Sequence, residues 1–211
     1  MEIKTLIVSM FETNCYLVYD RAGGDGVIID PGAEADRIIS EITRLGFAPR
    51  AVLLTHGHGD HIGAVQEITS RLKLTLYAGK GEESMLASPE ENLSAEIGLP
   101  VSCPPCERLL TDGEKLVFGS LAFTVLKTPG HSPGGVCYLS DQTLFCGDTL
   151  FCGSIGRTDF PGCSHKQLIA SITEKLLALP DDTICYPGHG PTTTIGDERR
   201  DNPFLTGGYF V

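Results

Sequence analysis

Apolar positions along the chain change their spacing in a way that separates strands from helices. ETNCYLVYD and GVIIDPG are short apolar runs on either side of the turn residues RAGGD, and they predict two successive strands. In ADRIISEITRLGF, residues 35–47, Ile38, Ile39, Ile42 and Leu45 recur at helical intervals and Gly46 supplies a stop. AVLLT, residues 51–55, is a continuous apolar run, as expected of a strand buried on both faces. IGAVQEITSRL then returns to helical periodicity. The segment between them, THGHGDH (55–61), thus leaves the carboxyl end of a strand and enters a helix, where sites gather in open α/β architectures.

The second half has the same texture. LVFGSLAFTVLKT, GGVCYLSD and QTLFCGD predict antiparallel strands joined by short turns, SHKQLIASITEKLLAL a helix, and DTICYPGHG a further buried strand ending at a histidine. No linker or low-complexity run interrupts the pattern. The expectation is a single domain over residues 1–211, of α/β class, in which two sheets pack face to face and helices cover both outer faces.

Composition narrows the partners. Sixteen basic against 27 acidic residues give a formal net charge of -11, a surface that repels nucleic-acid phosphates and anionic headgroups. MEIKTLIVSMF has no export-signal pattern, and no apolar run approaches the roughly 20 residues of a membrane span. A cytoplasmic protein with a small-molecule substrate is therefore expected, with neither nucleic acid nor membrane as partner. Eight cysteines are scattered through the chain, and only Cys103 and Cys106, in SCPPCE, form a CxxC pair. Lacking a strand-to-helix setting and a second CxxC, the pair is expected to sit in an exposed proline-rich loop as incidental thiols.

The histidines change the picture most. Of six, five lie in glycine- or proline-rich loops at strand ends: His56, His58 and His61 in THGHGDH, His131 in TPGHSPGG, and His189 in YPGHGP. His165 alone has a helical setting. Alternate residues of an extended loop share a face, so His56 and His58 point one way, whereas Asp60 and His61 follow as the chain turns and face a second point. With Asp148 in CGDT there are seven donors, more than the four a structural zinc takes. Two ions about 3.5–4 Å apart, joined by one carboxylate and a hydroxide, would use them all.

THGHGDH, TPGHSPG, CGDTLF and PGHGP together resemble the ligand set of the metallo-β-lactamase superfamily over nearly the whole chain. The resemblance implies the four-layer αβ/βα sandwich of that fold. It also implies that His56, His58 and His131 hold one metal, Asp60, His61 and His189 the other, and that Asp148 bridges them. Within the superfamily, GSIGRTDFPG (153–162) and GPTTTIGDERRDNPFL (190–205) look most like short prokaryotic relatives of glyoxalase II, the hydroxyacylglutathione hydrolases. Glyoxalase II has a helical carboxyl-terminal substrate domain, which is not expected here. Arg157 stands in the loop after the bridging aspartate and is the candidate substrate-binding residue.

The expected enzyme is a thioester hydrolase acting on a small substrate such as S-lactoylglutathione through a hydroxide shared by two divalent transition ions. Zinc is expected, and iron or manganese also suits the donors. Asp60 would orient that hydroxide and relay its proton. A thiolate of pKa about 8.5 leaves without a strong general acid, which suits a thioester. The GRTDF run also resembles persulfide dioxygenases, which bind one iron through the equivalents of His56, His131 and Asp148; that activity is the runner-up. A lactonase and a redox or binding protein built around the CPPC pair are further alternatives.

Overall fold

In the computed structural model, residues 1–207 are described; residues 208–211, the end of the expected domain, lie outside the described residues. The first sheet has six strands in chain order: β1 (Glu2–Val8), β2 (Thr13–Tyr19), β3 (Asp25–Ile29), β4 (Ala48–Leu53), β5 (Thr75–Gly79) and β6 (Arg108–Leu110). The first three are antiparallel neighbours, and from β3 onward the pairing is parallel. Parallel neighbours need crossovers, and α1 (Ala35–Leu45), α2 (Gly59–Ile62) with α3 (Val65–Leu72), and α4 (Glu83–Ala87) provide them. Ala51, Val52 and Leu53 of β4 are fully buried, as expected of a strand between parallel partners.

The second sheet begins with β7 (Lys115–Phe118), β8 (Leu121–Lys127), β9 (Val136–Ser140) and β10 (Thr143–Gly147), a run of antiparallel neighbours. A small ribbon, β11 (Leu150–Phe151) with β12 (Ser154–Ile155), precedes α5 (His165–Ser171). After α5, β13 (Ile184–Pro187) pairs in parallel with β10, and β14 (Thr193–Thr194) closes the edge. The last described elements are α6 (Ile195–Asp201) and α7 (Pro203–Thr206).

Three apolar clusters account for the layering. Tyr16, Val27, Ile29 and Leu53 of the first sheet meet Phe123, Val125, Tyr138 and Phe145 of the second, forming the seam between sheets. On the far side of the first sheet, Ile38 and Ile42 of α1 and Val65 and Ile68 of α3 cover Leu17, Ile28 and Val52. On the far side of the second, Leu168, Ile172 and Leu176 cover Cys137, Leu144, Cys146 and Cys185. Each such Val, Leu, Ile or Phe side chain withdrawn from water contributes about 1.5–3 kcal/mol. The expected four-layer sandwich is therefore present.

Three local expectations are corrected. The helix predicted from residue 164 is capped by the Ser164 hydroxyl, which accepts from Gln167 N, but after Ser171 it widens into a π turn over Ile172–Leu176. The strand ending at YPGHG is not buried throughout: Ile184, at its first position, is 42% exposed. The CPPC loop is exposed at Ser102 and Pro105, but its thiols are not. Cys103 and Cys106 are half-buried against the α1/α3 cluster, and burial, with Cys106 alongside, pushes the Cys103 thiol up to about 12. Both remain free thiols, protonated at neutral pH. Among the described residues no helix is long and apolar enough to cross a membrane.

Candidate metal centre

Every candidate donor is carried at one end of the sandwich, just beyond a strand's last residue. His56 to His61 follow β4, His131 follows β8, Asp148 follows β10 and His189 follows β13. Their donor atoms fall into three overlapping groups, each with its members within 4.8 Å of one another: His56, His58 and His131; Asp60, His61 and His189; and His56, His61 and Asp148. Asp148 stands between the first two: its Oδ1 lies 3.4 Å from His61 Nε2, and its Oδ2 lies 3.5 Å from His131 Nε2 and 3.6 Å from His189 Nε2. All seven predicted donors are thus brought together, and His165 lies exposed at the start of α5.

The rings are aimed from behind. His61 Nδ1 lies 3.1 Å from Asp30 Oδ2, His131 Nδ1 2.7 Å from the Arg157 carbonyl, and His189 Nδ1 2.9 Å from the Phe11 carbonyl. His56 Nδ1 lies 3.1 Å from Thr55 Oγ1, whose hydroxyl donates to Asp30 Oδ2. Each acceptor favours an Nδ1–H tautomer and leaves Nε2 as the inward lone pair. His58 is the exception, presenting Nδ1, 2.9 Å from His131 Nε2.

Two groups that sequence reasoning missed organise this outer layer. Asp30, 1% exposed and directly after β3, takes the Thr55 N–H and hydroxyl and faces His61, so one carboxylate orients rings in both triads. Its signal was present: an aspartate in GVIIDPG, at the same end of the sheet as THGHGDH. Glu82, fully buried, accepts from Gly57 N and Gly134 N at 2.6 Å each, so it ties the His56–His58 loop to the loop that follows His131. KGEES reads as a solvated turn, and nothing in it marks Glu82.

Neighbouring charge divides the donors. Burial, reinforced by the other imidazoles, pushes His58 down to about 3 and His56 well below its ordinary value. Burial opposes the charged forms of Asp60 and His61 too, but here opposite charges prevail. His61 and His189 hold the Asp60 carboxyl far below the carboxylate range, and Asp60 and Asp148 lift His61 well above 6.5. Asp148 is lowered to about 2, burial being outweighed by His61.

The donors fit divalent metal. His56 Nε2 and Asp148 Oδ1 are buried without any hydrogen-bond partner, and a Cβ at Gly188 would overlap Asp148 Oδ1, so the chain leaves that oxygen clear. Imidazole and carboxylate together suit zinc, iron and manganese alike. Arg157 reaches the cavity over the donors, but its guanidinium is engaged twice by Asp159, at 2.8 and 3.0 Å, and lies over the Phe160 ring; its carbonyl is what holds His131.

Residues 9–189 match the metallo-beta-lactamase superfamily. The chain belongs to that superfamily. Hydroxyacylglutathione hydrolase GloC of Haemophilus influenzae is 39% identical over 209 residues, covering 97% of this chain and 98% of that one. Among solved structures, BLEG-1 B3 metallo-beta-lactamase superposes with a TM-score of 0.93 at 42% identity, covering 97% of this chain and 100% of the other. TTHA1623 in a di-iron-bound form gives 0.85 at 40%, covering 96% and 100%. ETHE1 from Myxococcus xanthus gives 0.83 at 32%, covering 98% and 85%. Metallo-β-lactamase relatives are thus similar along essentially the entire chain, and the chain is a metal-dependent hydrolase of that superfamily.

Proposed function

We propose that the chain hydrolyses a small thioester, with S-lactoylglutathione as the representative substrate. His56, His58 and His131 would hold one divalent transition ion and Asp60, His61 and His189 a second, with Asp148 between them. The observation that carries this reading is the inward aim of the donors: four Nδ1 atoms are anchored behind the site, and His56 Nε2 and Asp148 Oδ1 are left unpartnered within it. Likeness to the Haemophilus hydrolase supports the substrate class.

Ions bound there would polarise the carbonyl and lower the pKa of water toward 7. Asp60, kept ionised by His61 and His189 and steadied by the Thr13 hydroxyl 3.1 Å from its Oδ2, takes the proton of the attacking water. Water oxygen joins the carbonyl carbon, the C–S bond breaks, and sulfur leaves with the electron pair as a thiolate that needs no strong acid. No side chain has to act as nucleophile.

The test is elemental analysis with thiol release from S-lactoylglutathione and from a simple acylthiol under nitrogen. About two transition ions per chain and release from at least one substrate are expected; a fully loaded protein that releases neither thiol would overturn the reading. A second reading, a mono-iron persulfide dioxygenase, is favoured by the similarity to ETHE1 and by the GRTDF loop, whose Arg157 carbonyl orients His131. Oxygen uptake with glutathione persulfide by protein holding one iron would select it.

A further inference from the structure

The cavity over the donors, about 470 Å³ in volume, has a lining of two kinds. Its floor is the polar cluster already described. Most of its wall side chains are apolar: Phe11, Leu93, Ile97, Phe151 and Phe160. The Leu93–Ile97 wall is fixed in place, since the buried Asn92 side chain donates to the Met85 and Val101 carbonyls at 3.0 Å and the Asn92 carbonyl accepts from Gly59 N at 2.9 Å. A substrate body that reaches past the donors therefore meets a preformed hydrocarbon surface, the usual lining of a small-molecule site.

Charge along that lining is the deciding feature. Among the described residues lining the cavity, Arg157 is the single guanidinium or ammonium group, and Asp159 already occupies it. Glu96 adds an acid to the Leu93–Ile97 wall, on a chain whose net charge is -11. Carboxylates on a substrate body would meet no unpaired cation here and would lie near Glu96, which is unfavourable. An apolar body gains by burial instead.

We propose, on the basis of the thioesterase reading above, that the preferred substrate is a thioester with an uncharged, apolar body, in place of a glutathione conjugate with its two carboxylates. The reaction is unchanged: water oxygen bonds to the carbonyl carbon, the C–S bond breaks, and the proton surrendered by water ends on the departing thiol.

The experiment uses the full, metal-loaded chain and compares kcat/KM for S-hexanoyl-N-acetylcysteamine and S-hexanoylglutathione, which share an acyl group and differ in the charge of the thiol. The neutral thioester is expected to win by about tenfold or more, a difference of roughly 1.4 kcal/mol. Ile97→Lys, a change at a 44%-exposed position, is expected to narrow the ratio by placing a cation beside Glu96, whereas Ile97→Leu keeps it. Equal or better turnover of the glutathione thioester by the unmodified chain overturns this proposal and leaves the thioesterase reading standing. Thiol release from neither substrate overturns the thioesterase reading itself, and this proposal with it.

Discussion

The two triads at the mouth of the sandwich are built from similar donors yet make opposite demands on protons. His56, His58 and His131 are all buried, and packing pushes His56 and His58 down so that they are neutral at physiological pH. Asp60, His61 and His189 contain a carboxylate and lie against Asp148, so His61 and His189 are raised above their ordinary value, although burial resists it. His56 and His58 are held as neutral rings, whereas Asp60, His61 and His189 are closed by their own ion pairs. Donor type alone therefore does not set a site's affinity. What each donor must give up before it can ligate matters as much.

Asp148 is the largest lever on that contrast because its two oxygens face histidines of both triads. Asp148→Asn keeps the shape and removes the charge. Activity is expected to fall beyond the roughly 100-fold that an outer-layer change costs, with both ions bound more weakly. Loss at one triad alone, measured by metal titration, would contradict its placement between them. Asp30→Ala comes next. Asp30 is not among the seven donors, yet its loss frees the His61 ring and leaves the Thr55 hydroxyl beside His56 without its acceptor. Metal affinity at both triads is expected to drop roughly 10–100-fold. The unpaired Thr55 N–H adds about 1–3 kcal/mol of destabilisation, read by thermal unfolding.

How much of this was legible in the sequence depended on whether a residue's role is local. β2, β3, β4 and α1 were readable because their own apolar spacing decides them, and the seven donors because short glycine-flanked motifs carry them. β1 was not: only Leu6 and Val8 of its seven residues are buried, too weak a pattern without its partner β2. β5 and β6 were missed because a short parallel strand is defined by neighbours from distant parts of the chain. Asp30 and Glu82 were missed for the same reason. Their roles show only through what they bond, 25 or more residues away, although Asp30 at a strand end carries a local cue that Glu82 lacks. Arg157 was found, but its side chain serves Asp159 and Phe160, and its useful atom toward the centre is a carbonyl, which no residue-type argument identifies.

The proton contrast predicts a pH dependence of metal uptake with a definite sign. Below their raised folded-state values, His61 and His189 carry protons that a metal must displace, so affinity at their triad rises as pH rises. One displaced proton corresponds to about tenfold per pH unit. His56 and His58 have none to displace in the same range. Metal titrations between pH 6 and 8 are expected to show the steeper slope at the Asp60, His61 and His189 triad. Equal slopes at the two triads, or a steeper one at His56, His58 and His131, would remove the distinction.

Glu82 is expected to act more weakly, because it supports one side only. Its two oxygens accept from Gly57 and Gly134, the backbone between His56 and His58 and the backbone just past His131, and it makes no bond to the Asp60, His61 and His189 triad. Burial pushes the Glu82 carboxyl upward, while the two N–H donors favour its ionised form. Glu82→Gln preserves the shape but turns an amide N–H₂ toward one of those donors. The unfolding midpoint is then expected to fall by about 2–4 °C for each kcal/mol lost, the scale for a chain of this length. Metal affinity should fall several-fold at His56, His58 and His131 and stay unchanged at the other triad. A uniform loss at both would show that Glu82 supports the sandwich in general, whereas a loss confined to the first makes it the residue that keeps those three imidazoles in register.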